Sequence, residues 1–185
     1  MGFRPGDPVP ARVLVAYATK LGSNAEIAEA IAAELRVGGF QAAAHPVRAV
    51  ASLDGWAAVV LGSAIYAAHW QRDARRFVLR FRDGLAARPL WLWSSGPLDE
   101  RLAQAGLPIS AHAAEITQGL GALDHRTFGG RLAEDAPIDP QVLQTHPIGD
   151  FRDWVAIRGY AAEIRAALST MSLPEAQGSD GTSSG

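Results

Sequence analysis

Short apolar runs alternate along this chain with segments that have helical periodicity. The strongest runs lie at residues 12–18, 57–63 and 89–95, with weaker strand-like stretches at 40–47 and 124–132. Apolar runs of this length are typical of strands that are buried on both faces. Amphipathic segments that predict helices follow them at 25–37, 71–83, 110–120 and 152–168. This alternation predicts an α/β fold, a parallel sheet with helices on both faces.

Local signals predict the ends of some of these elements. Ser23 and Glu26 have the spacing of a capping box, which predicts that Ser23 caps the first helix. The pair Gly38–Gly39 predicts the end of that helix, because glycine tolerates a left-handed cap. Residues 133–149 contain three prolines and no clear period, so we interpret them as a loop.

The composition indicates one globular domain. The chain has 185 residues, of which 48% are hydrophobic and 19% charged, enough to bury a core. We expect a mobile lead at 1–11, a domain at 12–169 and a disordered tail at the polar, Gly/Ser-rich residues 170–185. The absence of cysteine excludes disulfides and thiolate ligands. His112 and Glu115 lack an apparent third ligand, so no metal site is expected.

Charge and hydropathy limit the partners. The net charge of -2 argues against a dedicated nucleic-acid binder. No apolar run approaches the roughly 18 residues that span a bilayer. The first eleven residues lack the apolar core of a signal peptide. We therefore expect a cytoplasmic protein without a transmembrane segment.

The loop after the first strand suits a phosphate group. Ligands of parallel α/β sheets bind at the carboxyl ends of the strands, and a helix N-terminus favours anions. The loop is neither a Walker loop nor G-x-G-x-x-G. A plain N-capped helix after a strand is the alternative interpretation. The candidate ligand-binding residues of this first loop are Thr19, Lys20, Leu21, Gly22, Ser23 and Asn24.

The loops after the third and fourth strands could hold a planar ring. The first of them places small residues before aromatic ones, which suits a flat apolar slot. The second offers backbone groups that could bind the polar edge of a ring. The alternatives are that the aromatic residues cover the core and that the second loop is only a turn. The candidates are Ser63, Ala64, Ile65, Tyr66, Ala67 and Trp70, followed by Ser94, Ser95, Gly96, Pro97 and Leu98.

Together these loops resemble those of the flavodoxin-like family. Its phosphate-loop pattern is [FY]-x-[ST]-x-x-[AGC]-x-T-x-x-x-A-x-x-[LIV], and this chain departs from it at Asn24, where the family usually has Thr. Residues 60–67 and 94–98 are similar to the second and third flavin loops. The resemblance covers about residues 12–169 and implies a doubly wound, five-stranded parallel sheet of order 2-1-3-4-5. The matching positions of the pattern are Tyr17, Thr19, Gly22, Ala28 and Ile31.

The resemblance also implies a cofactor and an activity. FMN would place its phosphate on residues 19–24 and its ring between residues 63–70 and 94–98, with Tyr66 flanking the ring. The ending D-F-R-D-W at 150–154 is similar to the branch that includes menaquinone-dependent protoporphyrinogen oxidase. That branch implies an oxidoreductase of heme biosynthesis that passes electrons to a quinone. No separate acid–base residue is identified.

Two other functions stay open. One is a flavodoxin-type electron carrier, although the net charge of -2 and the arginine-rich segment 72–82 differ from the strongly acidic carriers of that family. The other is a flavin-free interaction module, for which Asn24 leaves room. The arginine-rich face could contact an anionic membrane surface or the propionates of a porphyrin. Alternatively, it is a solvated face with Asp73 and Asp83 as partners.

Overall fold

A computed structural model of the chain describes residues 10–66, 69–96, 110–137, 141 and 148–173. The strands in these ranges are β1 (Arg12–Ala18), β2 (Gln41–Pro46), β3 (Ala58–Tyr66), β4 (His69–Trp70), β5 (Leu90–Ser95), β6 (Asp124–Phe128), β7 (Arg131–Leu132) and β8 (Gly149–Asp150). The helices are α1 (Ser23–Val37), α2 (Arg72–Arg80), α3 (Arg82–Ala86), α4 (Ala111–Thr117) and α5 (Trp154–Thr170), with a 3₁₀ turn at Val47–Ala49.

The main sheet has the predicted parallel architecture. Its order is β2-β1-β3-β5-β6, and each neighbouring pair is parallel. The predicted order 2-1-3-4-5 is confirmed, because the short β4 lies off this path and pairs antiparallel with the end of β3. The weak strand β2 lies at the edge, as its mixed sequence predicts. The other short strands, β7 and β8, form a separate two-stranded sheet.

Alternate residues of the central strands belong to two separate cores. On β1, Val13 and Val15 pack with residues of α1 and α5, whereas Leu14 and Ala16 pack with residues of α2, α3 and α4. All four side chains are fully buried. Because burial of one Val or Leu side chain contributes roughly 1.5–3 kcal/mol, both faces of the sheet must be covered. The helices therefore lie on both faces, as predicted.

The first helix begins earlier than the sequence predicts, and the capping box is not formed. Its N-cap is Gly22, which has φ 86° and makes no side-chain capping bond. Ser23 is the first helical residue, so its hydroxyl is not in the position of an N-cap acceptor. Glycine reaches this left-handed conformation without a Cβ penalty. The start of α1 therefore lacks the side-chain cap that helices of soluble proteins commonly have.

The predicted helix 71–83 is divided into α2 and α3. Phe81 lies between them with φ -113° and ψ 21°, outside helical geometry. Its ring packs on Phe77 with centroids 4.9 Å apart, and Leu85 beyond it is fully buried. Periodicity alone missed the division, because the apolar positions on both sides share one face.

The predicted strand 124–132 also divides. It leaves the parallel sheet after Phe128, and Arg131–Leu132 pair with Gly149–Asp150. A Cβ on Gly130 would lie 3.2 Å from the Cα of Gly96, so two backbones approach closely here. In the predicted loop 133–149, Gly149 belongs to β8, and residues 138–140 and 142–147 lie outside the described residues.

The closing helix is displaced by two residues from the predicted range 152–168. The side chain of Asp153 accepts hydrogen bonds from the N–H groups of Val155 and Ala156, so α5 starts at Trp154. Met171 and Leu173, in the segment predicted as a tail, pack against the core. Of the predicted lead and tail, residues 1–9 and 174–185 lie outside the described residues.

Candidate functional site

The three candidate loops start side by side at one edge of the sheet. Ala18 at the end of β1 is in register with Ser63 of β3, and Ser63 is in register with Ser94 of β5. Because the strands are parallel, the chain leaves all three at their carboxyl ends. The segments after Ala18, Ser63 and Ser94 therefore border one region of the surface, where ligands of such sheets bind.

The first loop presents free backbone donors at the start of α1. The hydroxyl of Thr19 accepts a hydrogen bond of 3.0 Å from the N–H of Gly22. The N–H of Ala25 bonds to the carbonyl of Gly22 at 3.0 Å. Within the described ranges, the N–H groups of Ser23 and Asn24 have no acceptor. Lys20 is exposed in the same loop. This end of α1 therefore combines unpaired donors, the positive end of the helix dipole and one cation.

The side chain of Asn24 has an internal role. It is fully buried, and its Nδ2 donates a hydrogen bond of 2.9 Å to the carbonyl of Ala18. The hydroxyl of Ser95 donates a hydrogen bond to its Oδ1. Asn24 thus ties the first loop to the third. With both polar atoms of its carboxamide engaged, Asn24 has no side-chain donor or acceptor left for an anion in the first loop.

Tyr66 is the exposed aromatic residue of the second loop. Its side chain is 36% exposed, and the Nζ of Lys20 lies 5.5 Å from the centroid of its ring. Partial burial raises the pKa of its hydroxyl, so the phenol is neutral at pH 7. An exposed ring beside the anion-favouring loop is a surface on which a planar group could stack.

The residues at the start of the second loop are buried. Ala64 is almost fully buried. The hydroxyl of Ser63 accepts a 3.0 Å hydrogen bond from the N–H of Gln71. A Cβ on Gly62 would lie 1.8 Å from the ring of Trp93. The side chains of Ser63 and Ala64 therefore pack inward, whereas Ile65, Tyr66 and His69 reach the surface.

Trp70 belongs to the core and not to an open slot. Its side chain is 1% exposed, and its Nε1 donates a 2.8 Å hydrogen bond to the hydroxyl of Ser94. The sequence left two interpretations of this residue, a ring-binding aromatic or a cover of the core. Its burial favours the second, and the bond to Ser94 makes it a connection between the second and third loops.

Ser94 continues this hydrogen-bond chain to His125. Its Oγ lies 2.9 Å from Nε2 of His125. This hydrogen bond extends the connection from Trp70 to β6. Burial lowers the pKa of His125 to about 4, so the imidazole is neutral at pH 7. Ser94 is fully buried, which excludes this serine–histidine pair as a nucleophile and base for an external substrate.

The second and third loops approach each other at backbone distance. A Cβ on Gly96 would lie 2.9 Å from the carbonyl oxygen of Ile65. The N–H of Gly96 donates to the carbonyl of Phe128 at 3.3 Å. Only glycine fits this position, so Gly96 lets the two loops form one continuous rim. The predicted site residues Ala67, Pro97 and Leu98 lie outside the described residues.

Arg152 supports the first loop, a role that the sequence analysis did not assign. Its guanidinium is 3% exposed and pairs with Asp150 at 2.6 Å and with Glu26 at 3.0 Å. It also donates to the carbonyl of Ser23 at 3.2 Å. These ion-pair hydrogen bonds raise the pKa of Arg152 against the opposing effect of its burial, and they lower that of Asp150. The segment D-F-R-D-W was the sequence signal for this residue.

The described part of the chain has neither a cluster of metal ligands nor a membrane-spanning helix. No group of three or more His, Asp or Glu side chains there could hold a metal ion. Within the same residues, no helix has both the length and the apolar character to cross a membrane.

Comparisons with known proteins agree with this geometry. The sequence model of a flavodoxin domain matches residues 14–136. A cysteine-to-serine mutant of flavodoxin from Pseudomonas aeruginosa superposes with a TM-score of 0.58 at 15% identity, covering 85% of this chain and 99% of that protein. Oxidised flavodoxin 2 from Bacillus cereus gives 0.54 at 17% identity, covering 86% and 99%.

A larger protein contains a similar domain. Rubredoxin oxygen:oxidoreductase from Desulfovibrio gigas superposes with a TM-score of 0.55 at 16% identity over 88% of this chain. The present chain spans only 37% of the length of that protein. Identities this low establish a shared fold. A search of curated protein sequences gives no match.

Proposed function

Because the chain belongs to the flavodoxin domain family, we propose that it is a redox protein that binds FMN at the carboxyl edge of its sheet. The observation that carries this proposal is the start of α1. Gly22 provides no side-chain cap, and the N–H groups of Ser23 and Asn24 are unpaired within the described residues. Such a helix start favours a phosphate, which accepts hydrogen bonds from the backbone and lies at the positive end of the helix dipole.

The residues around this helix start fit a phosphate ester. Lys20 is exposed and adds a positive charge. The hydroxyl of Thr19 already accepts from Gly22, so its proton is free to be donated to a phosphate oxygen. Arg152 contacts the carbonyl of Ser23 and holds the first turn in position. In this proposal the side chain of Asn24 fixes the first loop to Ser95.

The ring of the cofactor would lie against Tyr66 and along the rim formed by the second and third loops. FMN supplies the electron-transfer chemistry, and the protein supplies binding, orientation and electrostatics. Tyr66 offers an apolar face that excludes water from one side of a planar ring. The close contact between Gly96 and Ile65 keeps side chains out of the rim, which leaves backbone groups to bind the polar edge of the ring.

The finer proposal is an FMN-dependent oxidoreductase of the menaquinone-dependent protoporphyrinogen oxidase type. It is favoured by the place of the D-F-R-D-W segment, whose Arg152 pairs with Glu26 in the first turn of α1. A second candidate is a simple electron carrier. The charge of -2 is small for docking to basic partners, which favours the enzyme.

The test begins with the visible absorption spectrum of the purified protein before and after addition of FMN. Flavin bands that remain with the protein after gel filtration would support the proposal, and their absence after addition of FMN would overturn it. The flavin is then reduced anaerobically and mixed with a menaquinone analogue or with an oxidised electron-transfer protein. Rapid reoxidation by the quinone, with turnover of a reduced tetrapyrrole, favours the oxidoreductase. Reoxidation only by the protein acceptor favours the carrier.

A further inference from the structure

A groove lies between α2 and α4, on the face of the sheet opposite α1 and α5. Its volume is about 470 Å³, within the range of sites that hold small molecules. Its walls combine guanidinium groups with aliphatic side chains. The residues concerned are Arg72, Arg75, Arg76 and Arg82, together with Leu79 and Ile116.

Among the described residues, the arginines of the groove have no carboxylate partner. Among the described residues, no carboxylate lies within 4.0 Å of a guanidinium nitrogen of Arg72, Arg75 or Arg76. Asp73, which the sequence suggested as a partner, instead bonds to Arg48 at 2.6 Å. Of the described residues, four arginines and one acidic residue, Glu115, line the groove. This excess of positive charge favours an anion.

One of these arginines has a buried donor without an acceptor. The Nε of Arg75 is shielded from solvent and has no hydrogen-bond partner. A buried donor left unpaired destabilises the folded chain, and such groups are rare in native proteins. No hydrogen bond at Nε therefore ties Arg75 to another part of the described chain.

The groove also has a fixed apolar surface. Leu79 is 70% exposed, and Ile116 is only partly buried against the core. Arg82 donates to the carbonyls of Ile116, at 3.4 Å, and of Gln118, so its guanidinium connects α3 to the end of α4. An inorganic anion would use only the arginines, whereas a ligand with an apolar body would also cover Leu79 and Ile116.

We propose that this groove binds a small organic anion that carries at least two carboxylate or phosphate groups on an apolar body. Planar guanidinium groups bind both kinds of oxyanion with paired hydrogen bonds, which gives arginine an advantage over lysine here. The groove borders the second loop, because the Nδ1 of His112 accepts from the N–H of Trp70 at 3.4 Å. The site needs no flavin, so it stands or falls independently of the proposed cofactor.

Calorimetric titration of the purified full chain tests the proposal, at about 0.15 M salt so that weak surface pairing is screened. The probes are benzene-1,3,5-tricarboxylate, 1,3-phenylene bisphosphate and citrate, which has no apolar body. We expect the aromatic tricarboxylate to bind at least tenfold more tightly than citrate. Tighter binding of the bisphosphate than of the tricarboxylate also supports the site and identifies phosphate as the preferred group.

The variants Arg72→Gln and Arg76→Gln alter exposed side chains, so both proteins should fold. Each should weaken binding about tenfold, or 1.4 kcal/mol. The matched control is Arg158→Gln, which removes one exposed arginine from α5 on the other side of the sheet. It should change the affinity less than twofold. Leu79→Ser should weaken the aromatic probes and leave citrate unchanged.

Three results would overturn the proposal. The first is no binding of any probe at millimolar concentration. The second is an equal loss of affinity in Arg76→Gln and Arg158→Gln, which would show a general charge effect. The third is binding of the chain only to anionic lipid vesicles, which would make the arginines part of a membrane-contacting face.

Discussion

The hydroxyl of Ser95, at the end of β5, donates a hydrogen bond to the side-chain oxygen of Asn24, in the first turn of α1. The carboxamide nitrogen of Asn24 donates in turn to the carbonyl of Ala18, at the end of β1. One buried side chain thus connects the ends of two strands that are separated by β3. This connection sets the position of the first candidate loop relative to the third.

A double-mutant cycle on this pair should show strong coupling. Asn24→Ala removes both bonds, and Ser95→Ala leaves a buried oxygen unpaired, so each should lower the free energy of unfolding by about 1–3 kcal/mol. We expect a coupling free energy of about 0.5–3 kcal/mol, measured by urea denaturation of the four proteins. The control cycle pairs Asn24→Ala with Ser52→Ala, since Ser52 is exposed and bonds to Asp54. Coupling as small as in that control would show that the Ser95 bond does not link the loops.

Gly22 and Gly39 offer a matched pair of variants for the phosphate loop. Both have φ 86°, and a Cβ on either would meet nothing within 4 Å. Valine at either position therefore imposes similar backbone strain, of order 1–3 kcal/mol. Only Gly22 lies beside the unpaired N–H groups of α1, whereas Gly39 follows the other end of that helix.

We expect Gly22→Val to weaken FMN binding at least tenfold, or about 1.4 kcal/mol, and Gly39→Val to leave it nearly unchanged. Fluorescence titration with FMN measures both dissociation constants, and thermal unfolding checks that the two variants are similarly destabilised. Equal affinities of the two variants for FMN would remove the first loop from the cofactor site.

The sequence predicted the sheet well because its signals are local. The apolar runs of β1, β3 and β5 identify buried strands. The missed features depend on contacts between distant residues. The division of the helix at Phe81 needs the packing on Phe77, and the end of β6 needs the close approach of Gly130 to Gly96.

The candidate site shows the same limit. The sequence identified the three loops, and the structure brings them to one edge of the sheet. The sequence did not predict which side chains of these loops face inward. Asn24 in the first loop and Trp70 in the second loop both form side-chain hydrogen bonds to the third loop, where Trp70 bonds to Ser94. A polar or aromatic residue in a loop sequence gives no sign of such a partner. Arg152, 129 positions from Ser23 along the chain, could not be connected to the first loop by any local pattern.

Tyr66 should affect the flavin through its ring and not through its hydroxyl. Tyr66→Ala removes the exposed aromatic surface beside Lys20, so we expect about tenfold weaker FMN binding and stronger fluorescence of the bound flavin, since aromatic stacking is lost. Tyr66→Phe keeps the ring and should bind like the wild type. If Tyr66→Ala has the same affinity for FMN and the same flavin fluorescence as the wild type, Tyr66 only covers the edge of the core.

His125 should make the protein less stable in mild acid. Burial lowers the pKa of its imidazole to about 4 in the folded chain, against about 6.5 when unfolded. Between about pH 6.5 and pH 4, His125 is protonated in the unfolded chain but neutral in the folded chain. The stability contributed by neutral His125 is therefore complete above pH 6.5. It is lost as the pH falls toward 4, by up to about 1.4 kcal/mol per pH unit.

Urea unfolding between pH 7 and pH 4 measures this dependence. We expect a shallower pH dependence for His125→Gln, because its side chain cannot bind the proton, and a wild-type dependence for His45→Gln, which alters an exposed histidine. An identical pH dependence in all three proteins would contradict a buried neutral His125.

The central claim, a phosphate-binding helix start that holds FMN, is tested most directly by comparing FMN with riboflavin on the wild-type protein. The two flavins share the ring and differ in the phosphate. Unpaired N–H groups on Ser23 and Asn24 predict at least tenfold tighter binding of FMN. Equal dissociation constants for FMN and riboflavin, or no binding of either, would contradict the account.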